Sequence, residues 1–124
     1  MKNQLELAHS PAQCSARLRN VGDALYVIGG KWKLRIIIAL AEGHCRFNEL
    51  QRTLEGISAK VLSNELKDLE INGFVKRVVN TGIPVIVTYE LTDYTDSLKE
   101  VLQALGNWGE QHREKLRSES RQAS

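Results

Sequence analysis

The sequence predicts a mainly α-helical domain with one small β-hairpin, and two patterns in its central part carry this prediction. Between Arg46 and Phe74, apolar residues recur at helical spacing on both sides of a glycine-containing turn. Directly afterwards, two β-branched runs flank a short segment that contains Gly82 and Pro84. Two helices around a tight turn, followed by a hairpin, are typical of a winged helix-turn-helix. This is the fold class that the sequence predicts.

The length and composition of the chain fit a single domain. Its 124 residues, of which 42% are hydrophobic, can bury one modest core. Residues 1–18 show few apolar side chains and no sustained period, which predicts a flexible N-terminal arm that stays disordered or orders against a partner subunit. Residues 19–116 are predicted to form the winged helix domain, and residues 117–124 a disordered polar tail.

Charge and hydropathy narrow the functional classes. The net charge of +2 is weak evidence. Between Lys31 and Arg52, however, the chain contains five basic residues and only two acidic ones, and a nucleic-acid surface requires such an excess of positive charge. No apolar run is long enough to span a bilayer, and the first residues lack the apolar core of a signal peptide. We therefore expect a cytoplasmic protein with no membrane partner. Two cysteines are too few for a disulfide framework or a four-thiolate zinc site, so no metal is expected.

Two short helices are predicted before the central motif. The first starts near Asn20 and is stopped by Gly29-Gly30, since its apolar residues recur at i, i+3, i+4 and i+7: Val21, Ala24, Leu25 and Ile28. Residues 31–41 fit a strand in part and a helix in part, because Ile37 and Ala39 break an otherwise alternating apolar pattern. Their length and the flanking glycines favour a mostly buried helix.

The predicted helix-turn-helix occupies residues 47–72. Its first helix runs from about residue 47 to 54, and Glu55-Gly56-Ile57 forms the turn. Ser58 can cap the second helix, because its side-chain oxygen can accept a hydrogen bond from a first-turn amide. Leucines at positions 62, 66 and 69 of the second helix form a core-facing stripe. The opposite face carries four polar residues: Lys60, Ser63, Asn64 and Lys67.

This polar face suits the major groove of DNA. Serine and asparagine can exchange hydrogen bonds with base edges, and lysines can neutralise phosphates or contact guanine. An ordinary solvated helix face is the alternative interpretation of the same pattern. Lys76 and Arg77, at the base of the hairpin, are either further DNA contacts or ordinary charged strand ends. The predicted DNA-binding residues are Ser58, Lys60, Ser63, Asn64, Lys67, Lys76 and Arg77.

The hairpin and a long last helix complete the chain. Residues 74–79 and 85–91 are the predicted strands, and a hairpin in this position is a wing that touches the DNA backbone or the minor groove. Thr92 or Asp93 can cap the last helix, which is expected to run to about Leu116. This helix has more apolar surface than its small domain can cover, which favours dimerisation over packing within its own subunit. Its apolar stripe is Leu98, Val101, Leu102, Leu105 and Trp108.

These elements, in this order, resemble the HxlR-type transcriptional regulators, which are MarR-like winged helix proteins. The resemblance covers roughly residues 20–113 and implies a homodimer with the N- and C-terminal helices at its interface. It adds Leu25 to the predicted interface and makes residues 31–41 a helix with Trp32 near its start. The matching stretches are Ala24-Leu25, Ile28-Gly29-Gly30-Lys31-Trp32, Arg46-Phe47, Glu49-Leu50, Gly56-Ile57-Ser58, Leu62-Ser63, Leu66, Leu69, Gly73-Phe74-Val75, Tyr89, Leu91-Thr92, Trp108-Gly109 and His112.

Two positions depart from the family pattern. Many members carry a Cys-Pro pair before the first helix, where the cysteine senses oxidants or electrophiles, but Arg19 and Asn20 stand here. The nearest thiol is Cys14, which is either a redox-sensitive cysteine or, more simply, an inert one. In the wing, the position at which the family often has an arginine holds Ile86. This predicts backbone contacts from Asn80 or Thr81 and less reading of the minor groove than is usual.

The sequence thus predicts a sequence-specific DNA-binding regulator, a repressor or an activator, that acts as a homodimer on a palindromic double-stranded operator. An enzyme is not expected, because His44-Cys45 lacks metal-ligand spacing and no phosphate loop or nucleophile elbow is present. No cofactor is predicted, and a small-molecule or redox effector stays open. The alternative function is a winged helix that binds only protein, for which Ile83, Val85 and Ile86 in the wing leave room.

Overall fold

The computed structural model describes residues 10–123, which form a mainly helical domain with one antiparallel hairpin. This confirms the predicted fold class. The elements, in chain order, are α1 (Pro11–Ile28), α2 (Lys33–Ala41), α3 (Phe47–Thr53), α4 (Ala59–Ile71), β1 (Val75–Asn80), β2 (Ile86–Leu91), a 3₁₀ helix (Asp93–Leu98) and α5 (Lys99–Ala123).

The first helix is longer than predicted. It begins at Pro11, where proline suits the first helical turn because that position needs no amide hydrogen. Ser10 caps it by accepting a hydrogen bond from the Gln13 amide at 3.1 Å. Residues 11–18, predicted to be a flexible arm, are therefore helical, and residues 1–9 of that arm lie outside the described residues.

The last helix is also longer than predicted, and it begins later. The chain after Thr92 first forms the 3₁₀ helix, so that α5 starts at Lys99 and continues to Ala123. Its final turns contain the ion pairs Lys115–Glu119, at 2.7 Å, and Arg117–Glu114, at 3.3 Å. Such pairs at i, i+4 and i, i+3 stabilise a helix that is exposed all round. Residues 117–123 are thus helical, and the predicted disordered tail is corrected to this extent.

The core lies between α2, α3 and α4. Its six largest fully buried side chains come from these three helices, and they are Ile36, Ile37, Leu50, Leu62, Leu66 and Leu69. The stretch that fitted both a strand and a helix is helix α2, with Trp32 as its N-cap residue, as the resemblance implied. Burial of the leucines at 62, 66 and 69 confirms the predicted apolar stripe of α4.

The hairpin is fixed to the helical core near its base. Its strands pair from Val75↔Leu91 to Asn80↔Ile86, and the Tyr89 amide donates a 2.8 Å hydrogen bond to the Cys45 carbonyl just before α3. Next to the Val75↔Leu91 pair, the buried Thr95 hydroxyl donates to the Phe74 carbonyl at 2.6 Å. These bonds hold the wing beside the helix-turn-helix.

Candidate nucleic-acid interface

Helix α4 is positioned by a tight turn and a serine cap, as predicted. Gly56 has φ +90°, a left-handed conformation that glycine adopts without steric cost, and this lets the chain reverse between α3 and α4. The Ser58 side chain then accepts a hydrogen bond from the Val61 amide at 3.1 Å. These two local features, together with the buried leucines, determine which face of α4 turns outward.

The outward face of α4 carries the four predicted residues Lys60, Ser63, Asn64 and Lys67, which we call the polar stripe. All four are exposed, and none of their side chains forms a hydrogen bond or an ion pair with another described residue. Their polar groups therefore remain available to a ligand. Because a rigid helix holds them in register, they can meet a regular array of donors and acceptors.

An ion pair that the sequence analysis missed ties α4 to α2. Lys33 Nζ lies 2.9 Å from Glu65 Oε1 and 3.5 Å from Asp68 Oδ2. The hydrogen bond to Glu65 raises the pKa of Lys33 above its ordinary value; partial burial opposes this shift, and attraction by both carboxylates adds to it. The two partners are 32 residues apart in the chain, so no local spacing could have indicated the pair.

The two basic residues at the base of the wing occupy different places. Arg77 shares a shallow concavity of about 200 Å³ with Ser63 and Lys67 of the polar stripe. Lys76 points to the other face of the hairpin, because neighbouring strand residues alternate, and its ammonium lies 4.0 Å from the Glu90 carboxylate. The structure therefore brings Arg77 together with the polar stripe and separates Lys76 from it.

A larger concavity lies between α3 and the start of β2, and we call it the α3–wing cleft. Its volume is about 600 Å³. Arg46 and Arg52 belong to the basic part of the sequence, but they are not among the predicted DNA-binding residues. Their shared cleft depends on the hairpin, which no helical spacing could place beside them. The cleft is lined by Arg46, Phe47, Asn48, Glu49, Arg52, Pro84, Val85, Ile86 and Val87.

Most of the predicted dimer-interface residues are exposed, with one correction. Leu25 of α1 is 63% exposed and Trp108 of α5 is 62% exposed, while Val101 and Leu105 are also exposed. Leu98 is only 8% exposed because the 3₁₀ helix turns it into the subunit's own core, so its assignment to the interface was wrong.

Further apolar side chains accompany these residues on the terminal helices. Leu18, Val21 and Tyr26 of α1 are exposed, as is Leu116 of α5. Leu102 is half-buried against the core, which leaves only part of its side chain for a partner. Both terminal helices of the described chain thus present apolar side chains to solvent.

Cys14 lies on α1 and not in a flexible arm. Its thiol is free and exposed, and it follows the same helical spacing as Leu18, Val21 and Leu25. Cys45, the second free thiol, is half-buried. Among residues 10–123, no group of three or more histidine, cysteine or acidic side chains could hold a metal ion, and no helix is long and apolar enough to cross a bilayer.

Comparison with known proteins identifies similar helix-turn-helix transcriptional regulators. The HxlR-like helix-turn-helix family model matches residues 27–117. The HTH-type transcriptional regulator YtcD of Bacillus subtilis is 41% identical over 93 residues, which cover 75% of this chain and 74% of that protein. The HTH-type transcriptional regulator YtfH of Escherichia coli K12 is 35% identical over 96 residues, which cover 77% and 72%.

A solved structure with the same architecture is the redox regulator HypR. Its reduced form is similar to this chain with a TM-score of 0.73 and 36% identity, and the match covers 80% of this chain and 98% of that one.

Proposed function

The chain belongs to the HxlR-like helix-turn-helix family of transcriptional regulators, and we propose that it reads a palindromic operator as a homodimer. It is thus a DNA-binding transcriptional regulator, and its family consists of regulators and not enzymes. We place the protein in the cytoplasm, without enzymatic activity of its own.

The single observation that carries the proposal is the exposed, unpaired polar stripe on a helix locked by its buried leucines. Ser63 and Asn64 are assigned to base edges, since hydroxyl and amide groups both donate and accept there. Lys60 and Lys67 flank them and are assigned to guanine or phosphate. A locked helix loses little conformational entropy on binding, so these contacts favour affinity as well as specificity.

Three further residues complete the proposed DNA surface. The Ser58 oxygen accepts the capping hydrogen bond, which leaves its hydroxyl proton free to donate to a phosphate. Arg77 extends the polar stripe towards the wing, because both border one concavity. Lys76 is assigned to the backbone on the other side of the hairpin. In the wing, Asn80 or Thr81 is assigned to a backbone contact, with less reading of the minor groove than is usual in the family.

The proposed homodimer is supported by the exposed apolar residues of α1 and α5. Apolar surface of this kind on both terminal helices is typical of an interaction site. A two-fold dimer places one α4 helix in each of two successive major grooves, about 34 Å apart. This geometry requires half-sites separated by about one helical turn. The residues assigned to the interface are Leu25, Val101, Leu105 and Trp108, with part of Leu102.

Operator binding by substituted chains tests the helix assignment. The Lys60→Ala and Asn64→Ala variants should each bind the operator about 5- to 150-fold more weakly, which is the roughly 1–3 kcal/mol of one good base contact. Their affinity for random-sequence DNA should change less. Lys99→Ala, which removes an exposed charge at the start of α5, is the matched control. If both α4 variants bind the operator as the parent does, α4 is not the reading helix.

Sedimentation tests the assembly. Leu105→Asp and Trp108→Asp should convert the dimer into monomers, because each puts a charge into the proposed apolar interface. Gln103→Asp, on an exposed neighbouring position of the same helix, should remain dimeric. Leu102→Asp is unsuitable, since that side chain also packs against the subunit's own core. A dimer that survives both substitutions would place the interface elsewhere.

The alternative function, a winged helix that binds only protein, rests on the exposed apolar tip of the wing. Ile83 is fully exposed and Val85 is largely exposed. A protein-binding surface, however, would carry apolar or acidic side chains on α4 as well, and the polar stripe carries neither. Specific protection of DNA flanking the protein's own gene would distinguish the two functions.

Control of binding through Cys14 is the last part of the proposal. The similar protein HypR is described as a redox regulator and has solved structures of an oxidised and a reduced form. In this chain, the exposed Cys14 lies at the same helical spacing on α1 as Leu25, which is assigned to the dimer interface. We therefore expect an oxidant to change operator protection in the parent and not in Cys14→Ser. Equal responses in both chains would mean that Cys14 is inert.

A further inference from the structure

The α3–wing cleft has two walls of different chemistry, and we propose that it seats one sugar–phosphate strand of the bound DNA. Arg46 and Arg52 would contact its phosphates, while residues 84–87 would pack against its deoxyriboses. The inference rests on the proposed function and adds a backbone contact beside the base-reading residues of α4.

The wall formed by α3 carries the charge. The guanidinium groups of Arg46 and Arg52 are exposed, and neither forms an ion pair with another described residue. Asn48 adds an exposed amide, and the half-buried Glu49 offsets one of the two positive charges. A guanidinium group binds phosphate oxygens through two parallel hydrogen bonds. This wall therefore fits an anion, and it fits a chain of phosphates better than a neutral ligand.

The opposite wall carries no charge. It consists of Pro84, Val85, Ile86 and Val87, and no residue from Val78 to Tyr89 has a charged side chain. Apolar side chains cannot compensate a phosphate, but they can pack against the C–H groups of a sugar. A DNA strand presents both surfaces at once, with phosphates along one edge and deoxyriboses behind them. The two walls match these two surfaces.

The position of the cleft agrees with the path of such a strand. If α4 occupies a major groove and the wing tip the adjacent minor groove, the backbone that separates the grooves passes beside both elements, on the side of the motif where the cleft can receive it. The cleft lies between the helix that precedes α4 and the strand that leads from the wing tip. The hydrogen bond from the Tyr89 amide to the Cys45 carbonyl, 2.8 Å long, joins the strand of one wall to the residue before Arg46 in the other.

The salt dependence of DNA binding tests the charged wall. Each phosphate contact contributes about 0.9 to the slope of log K against log salt concentration, so Arg46→Gln and Arg52→Gln should each reduce the slope by about that amount. The loss of affinity should be similar for operator and random-sequence DNA. Lys99→Gln is the charge-matched control and should keep the parent slope. Both arginines are exposed, so the variants should unfold at the same urea concentration as the parent.

Hydroxyl-radical cleavage and one added charge test the placement. The parent should protect the sugars between each half-site and the flanking minor groove, and the double variant should lose that protection. Ile86→Arg puts a cation on the uncharged wall and should steepen the slope by about 0.9. An unchanged slope in Ile86→Arg would contradict the position of the strand.

The outcomes separate this inference from the proposed function. If the parent protects an operator while the Arg46→Gln, Arg52→Gln double variant keeps both slope and sugar protection, the cleft proposal is overturned and the reading helix stands. If the parent binds DNA without selecting an operator, the salt dependence of binding to random-sequence DNA still tests whether a DNA strand lies in the cleft. A parent that binds no DNA overturns both.

Discussion

The ion pair between α2 and α4 should contribute measurably to stability. Lys33 Nζ donates a 2.9 Å hydrogen bond to Glu65 Oε1, and the two side chains are only 13% and 17% exposed. A fully exposed pair contributes about 0–1 kcal/mol, whereas breaking a fully buried one costs about 3–5 kcal/mol. This pair lies between those limits. We therefore expect Lys33→Met to lower the free energy of unfolding by about 1–3 kcal/mol, since it leaves the Glu65 carboxylate without its donor.

A double-mutant cycle measured by urea unfolding isolates the pair. The variants are Lys33→Met, Glu65→Gln and the two combined. The combined variant should lose less than the sum of the single losses, with a coupling of about 0.5–3 kcal/mol. Asp68, at 3.5 Å and more exposed, should couple more weakly to Lys33. Additive losses in the Glu65 cycle would refute the reasoning, because they would mean that the contact stabilises nothing.

The same pair predicts a pH dependence in alkaline solution. Its hydrogen bond raises the pKa of Lys33 above the ordinary 10.5, so the folded state holds this proton more tightly than the unfolded state does. The resulting stability is fully present below pH 10.5 and is lost as the pH rises through the folded-state pKa. The parent should therefore lose more unfolding free energy above pH 10.5 than Lys33→Met does. If the unfolding free energies of the parent and of Lys33→Met changed in parallel with pH, the folded and unfolded states would bind this proton equally.

Three further predictions follow from single contacts. Leu66→Ala should cost about 2–5 kcal/mol in urea unfolding, since this fully buried side chain would leave a cavity, and a loss below 1 kcal/mol would argue against the core. Thr95→Val should cost about 0.5–1.5 kcal/mol, because it removes one of the two hydrogen bonds to the Phe74 carbonyl and leaves the one from the Thr92 amide, and an unchanged stability would mean that the hydroxyl bond contributes nothing. Lys76→Ala should weaken binding to all DNA sequences and reduce the salt slope by about 0.9, whereas a constant slope would leave Lys76 as a partner of Glu90 alone.

Local patterns in the sequence were sufficient to predict helix α4 and its two faces. The cap at Ser58, the glycine turn and the leucine period all lie between Gly56 and Leu69, and each acts through contacts between near neighbours. Burial of one stripe leaves the opposite stripe exposed, whatever the rest of the chain does. The hairpin was predictable for the same reason, because β-branched runs on both sides of a turn pair with each other.

One missed element also had a local signal. Ser10 followed by Pro11 is a typical helix start, but the segment after it holds few apolar residues, and its helical part was therefore predicted as an arm. Apolar residues at a regular spacing indicate that one face of an element is buried. A helix without a buried face lacks this pattern. A helix that exposes most of its side chains, as α1 does in this subunit, is thus easily missed.

The sequence by itself determined which residues α4 buries and which it exposes, since both follow from helical period. Only the tertiary structure decided that Leu98 enters the core, that Lys33 reaches Glu65, and that Arg46 and Arg52 face the wing. Each of these contacts joins residues that are far apart in the chain or depends on a turn of the backbone that no period records. Their geometry exists only once the hairpin and the helices have packed together, because packing alone sets the distances between separate elements.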